Sequence, residues 1–212
     1  MSMAFITLPR LAARFLPVLF MLLFQCGLAK AADLDAGILV YKGFTVDMTK
    51  CTSQPNLDDI IAYAKHQLDI VADCDADEKT MTFFRSERIL MVPNLGHGGG
   101  FVNLKGIVHV DSAIEKATKP IFLHELLHAY HFLQLPDGRK NADVIKFWKI
   151  AQDNQLYPAG SYVLSNQAEF FAVTASCYLW GTVDRPPFTR ENIKKRQPIY
   201  TKWLAQLFGV EK

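Results

Sequence analysis

The chain reads as an α+β domain: a small mixed sheet, one central helix and a helical C-terminal subdomain. Three observations predict this. Short runs rich in β-branched and aromatic residues, the composition of strands, lie before residue 112, at 38–48, 88–92 and 106–111. Apolar residues return at helical spacing in 57–72, and every periodic segment after residue 120 has that same period. No linker, repeat or low-complexity segment interrupts residues 32–212, and roughly 180 residues suffice for one domain with a substantial core.

Residues 1–31 read as a secretory signal peptide. Arg10 and Arg14 supply the positive start. Residues 15–24 form an apolar run broken only by Pro17, too short for a comfortable membrane span. Ala29-Lys30-Ala31 is a small-x-small cleavage site. Cys26 follows Phe24-Gln25 rather than the small residues that a lipoprotein signal prefers. The expected location is the periplasm or the exterior of a bacterial cell, without stable membrane association after cleavage. Removing 1–31 lowers Lys+Arg from 23 to 20 against 21 Asp+Glu, so the mature net charge is −1. No nucleic-acid partner is expected from such a balance. Cys51, Cys74 and Cys177 remain. A helix between Cys51 and Cys74 would be roughly 25 Å long, whereas disulfide Cα atoms lie within about 7 Å; that pairing stays open. Cys177 falls in a helical stretch as a buried thiol.

Residues 38–48 suggest a strand kinked at Gly43. In 57–72, Leu57, Ile60, Ile61, Ala64, Leu68 and Val71 share one helical face. Residues 77–85 fit a short helix or the start of a strand. Residues 88–92 form a strand stopped by Pro93. Gly96, Gly98, Gly99 and Gly100 around His97 read as a mobile loop, with His97 solvated. No basic residue or helix start follows in a phosphate-binding register. Residues 106–111 alternate as a strand, either an ordinary member of the sheet or an edge strand able to pair with an extended substrate. Nothing in the sequence fixes His109 near a metal.

The central helix, near 120–133, carries the chemistry. It contains His124-Glu125-x-x-His128. Residues four apart lie one turn above each other on a helix, so two imidazoles can hold one Zn2+ ion. Glu125 stands about 100° round the helix, beside the ion, where a general base for a zinc-activated water belongs. Leu123, Leu126, Leu127 and Tyr130 make the rest apolar. Pro120 suits the first turn, with Thr118 or Lys119 as the cap, and the helix should end near Leu133.

Residues 141–156 form a further helix with Val144, Phe147, Trp148 and Ala151 inward. Ser165 is a good cap for the next, which Gly181 closes near residue 180. A polar loop with Pro186-Pro187 follows, then a last helix with Ile199, Trp203, Leu204 and Leu207 inward. A catalytic zinc takes three protein ligands. Where a third histidine would stand in the glycine-and-histidine pattern, this chain has His131 and Gln134. His131 lies off the ligand row and suits a supporting or surface role. A later glutamate is the other solution, and Glu169 and Glu191 are the candidates. Glu169 sits in an apolar stretch, where a lone carboxylate is costly and a metal would be its partner. Glu191 sits among Arg190, Lys194 and Lys195, as a solvated charge would.

His124-Glu125-Leu126-Leu127-His128-Ala129, then Tyr162, then Asn166-x-Ala168-Glu169-Phe170-Phe171-Ala172, resembles the catalytic domain of the anthrax lethal-factor-like zinc metallopeptidases, and is similar to the bacterial Pro-Pro endopeptidases. The resemblance spans residues 104–208. It implies a zincin-like fold, His124, His128 and Glu169 as zinc ligands, Glu125 as general base and Tyr162 as a catalytic residue at the reacting carbonyl. A phenol opposite the metal also suits the oxyanion of amide hydrolysis. One position departs: Val173 stands where many such enzymes carry an acidic residue supporting a zinc histidine, so Thr174 or a backbone carbonyl would have to serve. The substrate-contacting loops are unmatched, so no cleavage between prolines follows. The expectation is an exported zinc endopeptidase acting on a peptide or protein. A non-catalytic zinc-binding protein that recognises peptide or cell-wall material is the alternative, as is a zinc amidase on a non-protein amide. Neither the cleavage specificity nor the oligomeric state is legible.

Overall fold

A computed structural model describes residues 34–96, 98–102 and 107–210. Residues 1–31, expected to be a signal peptide and containing Cys26, lie outside the described residues, as do His97 and Gly106. The elements run β1 (Leu34–Asp35), β2 (Ile38–Tyr41), β3 (Phe44–Asp47), α1 (Leu57–Ala72), α2 (Glu78–Ser86), β4 (Arg88–Val92), β5 (Gly99–Val102) and β6 (Ile107–Asp111). The helical half follows with α3 (Ile121–Leu133), α4 (Ala142–Asp153), α5 (Gln167–Trp180), α6 (Arg190–Arg196) and α7 (Pro198–Phe208).

The strands form one sheet in the order β1-β2-β3-β4-β6-β5. Strands β3, β4 and β6 are parallel neighbours, while β2/β3 and β5/β6 are antiparallel. The kinked strand expected over 38–48 is in fact a hairpin. Lys42 (φ 47°) and Gly43 (φ 82°) both adopt the left-handed conformation of a two-residue turn whose twist suits paired strands. The ambiguous segment after residue 77 is helix α2, because the Asp77 side chain accepts the Thr80 N–H and caps it.

The glycine tract expected to be a mobile loop starts a strand. Gly99 pairs with Val110 and Gly100 with His109. Strand β5 therefore forms the edge of the sheet, and β6, read as a possible edge, lies inside between β4 and β5.

Helix α3 packs against α1, α5, β5 and β6. Phe122, Leu123, Leu126, Leu127 and Ala129 on it are wholly buried. Its N-terminus is capped neither by Thr118 nor by Lys119. The buried Gln67 of α1 does this from a distance: its Oε1 accepts the Phe122 N–H at 3.2 Å, and its Nε2 donates to the Lys119 carbonyl at 2.8 Å. Buried backbone groups need such partners. Helix α5 is capped by Asn166 rather than Ser165, which ends the preceding 3-10 turn, Tyr162–Leu164. In α7 Tyr200, Leu204 and Phe208 are buried and Trp203 and Leu207 pack half-buried against the core, while Ile199, expected inward, faces solvent at 73% exposure. Cys51, Cys74 and Cys177 are three buried free thiols, so the open pairing of the first two is not formed. No helix among the described residues is long and apolar enough to cross a membrane.

Candidate metal centre and cleft

Helix α3 brings the two motif histidines to one face, and α5 crosses it to bring Glu169 opposite. The His124 and His128 Nε2 atoms lie 3.0 Å apart. Glu169 Oε2 stands 3.2 Å from the first and 3.4 Å from the second. Among the described residues these three side chains form a group able to hold a metal ion, with one ligand atom from each inside a 4.8 Å span. Asn166 fixes the carboxylate's own residue, since its side chain accepts the Ala168 and Glu169 N–H groups, both at 2.9 Å. Burial alone would raise the Glu169 carboxyl. The hydrogen bonds and positive charge of His124 and His128 outweigh it and hold that carboxyl far below the usual range. Glu191 takes no part: it is exposed and paired to Lys194 at 2.9 Å on α6.

Glu125 is buried beside the cluster, with one carboxylate oxygen 4.0 Å from His124 Nε2. Tyr162 stands at the cleft on the 3-10 turn, its ring centre 6.4 Å from that of His124. The turn is held by Ser165 Oγ donating to the Tyr162 carbonyl at 2.8 Å and by Trp148 Nε1 donating to the Leu164 carbonyl at 3.2 Å. Burial, the hydrogen bond to Glu169 and the negative charges of Glu169 and Glu125 push the Tyr162 phenol above its ordinary value, with Arg185 opposing them. The hydroxyl therefore stays protonated and remains a donor.

A cleft of about 330 Å³ opens on this group. Gly99 of the edge strand and Gly98 just before it form one wall. Val183, Asp184 and Arg185, on the loop after α5, form another. Gly181 (φ 99°) ends α5 and starts that loop, and a Thr182–Thr189 bridge closes it. The Arg185 guanidinium lies 4.6 Å from the Tyr162 ring centre and its Nε is 3.3 Å from Asp184. Sequence reading gave no sign of Arg185, because only the fold brings that loop to the motif. The glycine tract was visible, but as a loop.

Two expectations about supporting residues are corrected. His131 is neither at the surface nor hydrogen-bonded to the histidines. It is 1% exposed against Phe171, at 5.0 Å between ring centres, and neither ring nitrogen has a hydrogen-bond partner among the described residues. Burial, with the charges of His128 and Arg139, lowers it to about 4. Thr174 does not support a zinc histidine either. Its hydroxyl meets the Phe170 carbonyl at 2.5 Å and the Tyr200 hydroxyl at 2.7 Å. Val173 lines the cleft.

No protein-family model matches the chain, and no curated protein matches it. Among solved structures it is similar to the Pro-Pro endopeptidase PPEP-2 from Paenibacillus alvei. The two share 19% identity and a TM-score of 0.51, over 74% of this chain and 95% of that one. That share of the chain exceeds residues 104–208, so the likeness reaches back into the sheet. It supports the Pro-Pro endopeptidase side of the resemblance; the lethal-factor likeness stays an expectation from the motif residues. At this identity it establishes the fold, an α+β domain of the zincin-like kind.

Proposed function

We propose that this protein is an exported, zinc-dependent endopeptidase. The observation that carries the reading is the partly buried cluster of His124, His128 and Glu169, with Glu125 beside it. Ligand atoms around a tetrahedral zinc at ~2.0–2.1 Å lie roughly 3.3 Å apart. The three atoms here are 3.0, 3.2 and 3.4 Å apart. Two imidazoles and a carboxylate are also the donor set of known catalytic zinc sites. The fold shared with a Pro-Pro endopeptidase supports a peptide substrate.

Zinc bound there would supply a Lewis acid and a water of lowered pKa. The chain's own residues do the rest. Glu125 accepts the proton of the attacking water and passes it to the leaving amine. Tyr162, protonated, donates to the substrate carbonyl oxygen as that oxygen gains charge. Asn166 and the α3–α5 crossing hold the ligands in place before substrate arrives.

Glu125→Gln preserves shape and removes basicity. The parent should cleave members of a broad peptide library, and Glu125→Gln should keep about one zinc per chain while losing ~10²–10⁴-fold in turnover. A zinc-loaded parent that cleaves no peptide, or an active Glu125→Gln protein, would overturn the proposal.

A further inference from the structure

The glycine tract is the one sequence motif that this mechanism leaves without a role. Gly99 sits on edge strand β5, opposite Val110, and β5 packs against α3. A Cβ built on Gly99 would lie 2.6 Å from Glu125 Cγ, 2.8 Å from Glu125 Cδ and 2.8 Å from the His109 carbonyl oxygen. Gly98, one residue earlier, is different: its Cβ would meet only Ile121, at 3.3 Å and beyond. Gly96 has no atom within 4 Å of such a Cβ, so of these three glycines the conflict with Glu125 belongs to Gly99.

Resting on the peptidase reading above, we infer that Gly99 is the positioning residue for the general base: its bare backbone is the wall against which the Glu125 side chain is set. Ordinary contact begins near 3.4 Å, so any side chain at 99 must drive Glu125 Cγ back by roughly 0.8 Å. Rotation about its side-chain bonds would carry the carboxylate away from His124, which it now approaches to 4.0 Å. A displacement of about 1 Å in a reacting group is worth on the order of 10²-fold in rate. The three atoms nearest a Cβ at 99 belong to Glu125 and His109 and none to a candidate metal ligand, so the ligands need not move. Gly99 is thus a determinant of turnover and not of metal binding. The need is steric, since only a residue without Cβ leaves the space that Glu125 occupies.

The test is Gly99→Ala, made in the parent and in Glu125→Ala, with urea unfolding of the purified proteins and zinc content measured on all four. Removing the Glu125 side chain beyond Cβ removes two of the three close contacts. Gly99→Ala should therefore lower the folding equilibrium constant on the order of ten-fold less in the Glu125→Ala background than in the parent. Equal effects in both backgrounds, or failure of both Gly99→Ala proteins to fold, would assign the need for Gly99 to the close approach of the His109 carbonyl and overturn the inference. Folding only in the Glu125→Ala background would support it. The second arm uses the best-cleaved peptide of a quenched-fluorescent library. Gly99→Ala should lose about 10²-fold in kcat with KM within about two-fold and zinc content unchanged. Parent-like kcat would overturn the inference. If the parent cleaves no peptide, the peptidase reading falls, and the unfolding arm still decides whether Gly99 sets Glu125.

Discussion

His131 should make the protein acid-labile in a defined window. The perturbation is pH, with His131→Leu as the control. In the native state this ring is 1% exposed and its pKa is lowered to about 4 from an ordinary 6.5. Above pH 6.5 the ring is neutral in both states and contributes no pH dependence. As pH falls, the unfolded chain takes up the proton and the native state does not, so stability is lost between about 6.5 and 4. At roughly 1.4 kcal/mol per pH unit, the full loss is about 3 kcal/mol. With a urea dependence of roughly 2 kcal/mol per molar, the midpoint should fall by about 1.5 M between pH 7 and pH 4 on this account alone. The assay is urea unfolding at pH 7, 5.5 and 4, in chelator, so that metal release adds nothing. Every other residue is the same in both proteins, so the difference between parent and His131→Leu isolates His131. The variant should be at least as stable as the parent at pH 7, because it replaces a buried ring lacking hydrogen-bond partners among the described residues with an apolar side chain of similar size. It should lose about 3 kcal/mol less by pH 4. Midpoints that fall in parallel would refute the reasoning.

Gln67→Leu should destabilise by about 2–3 kcal/mol in urea unfolding, because it leaves the Phe122 N–H and the Lys119 carbonyl without their partner at the start of α3. Arg185→Ala frees the Tyr162 ring of its cation; at roughly 0.5–1 kcal/mol for such a contact, kcat on a library peptide should fall about two- to five-fold. Mass spectrometry of the protein from its native host should find an N-terminus beginning at Ala32, and an intact Met1 in a cytoplasmic fraction would exclude export.

The parts legible in the sequence are those in which side chains themselves carry the signal. The apolar face of 57–72 announces α1, and the bounds match because Ile60, Ile61, Ala64, Leu68 and Val71 must all face the core. The spacing of His124 and His128 announces two rings on one face of α3, and an isolated carboxylate among phenylalanines points to Glu169, which the fold brings beside them. What was not legible depends on backbone geometry or on distant chain. Strand β5 is written in glycines, whose ladder hydrogen bonds leave no trace in composition. The turn at Lys42-Gly43 looks like a kink until the two halves pair. Gln67 caps a helix more than fifty residues away, so no local rule finds it. Asn166 and Ser165 are equally good caps on paper. The choice falls to Asn166 because Ser165 is already spent on closing the turn that carries Tyr162. Arg185 reaches the cleft through a loop whose course only the assembled fold decides.

The central claim is that Glu169 completes a zinc site with His124 and His128. Zinc affinity by chelator competition, on the parent, Glu169→Ala and Glu191→Ala, tests it most directly. Glu169→Ala leaves two histidines and water, and its affinity should fall by more than the ~10–100-fold typical of losing a supporting residue. The thermal stabilisation that zinc gives the parent should shrink with it, since that gain follows RT ln(1 + [Zn]/Kd). Glu191→Ala removes only an exposed partner of Lys194 and should bind zinc like the parent. A Glu169→Ala protein with parent-like affinity, or a loss confined to Glu191→Ala, would contradict the claim.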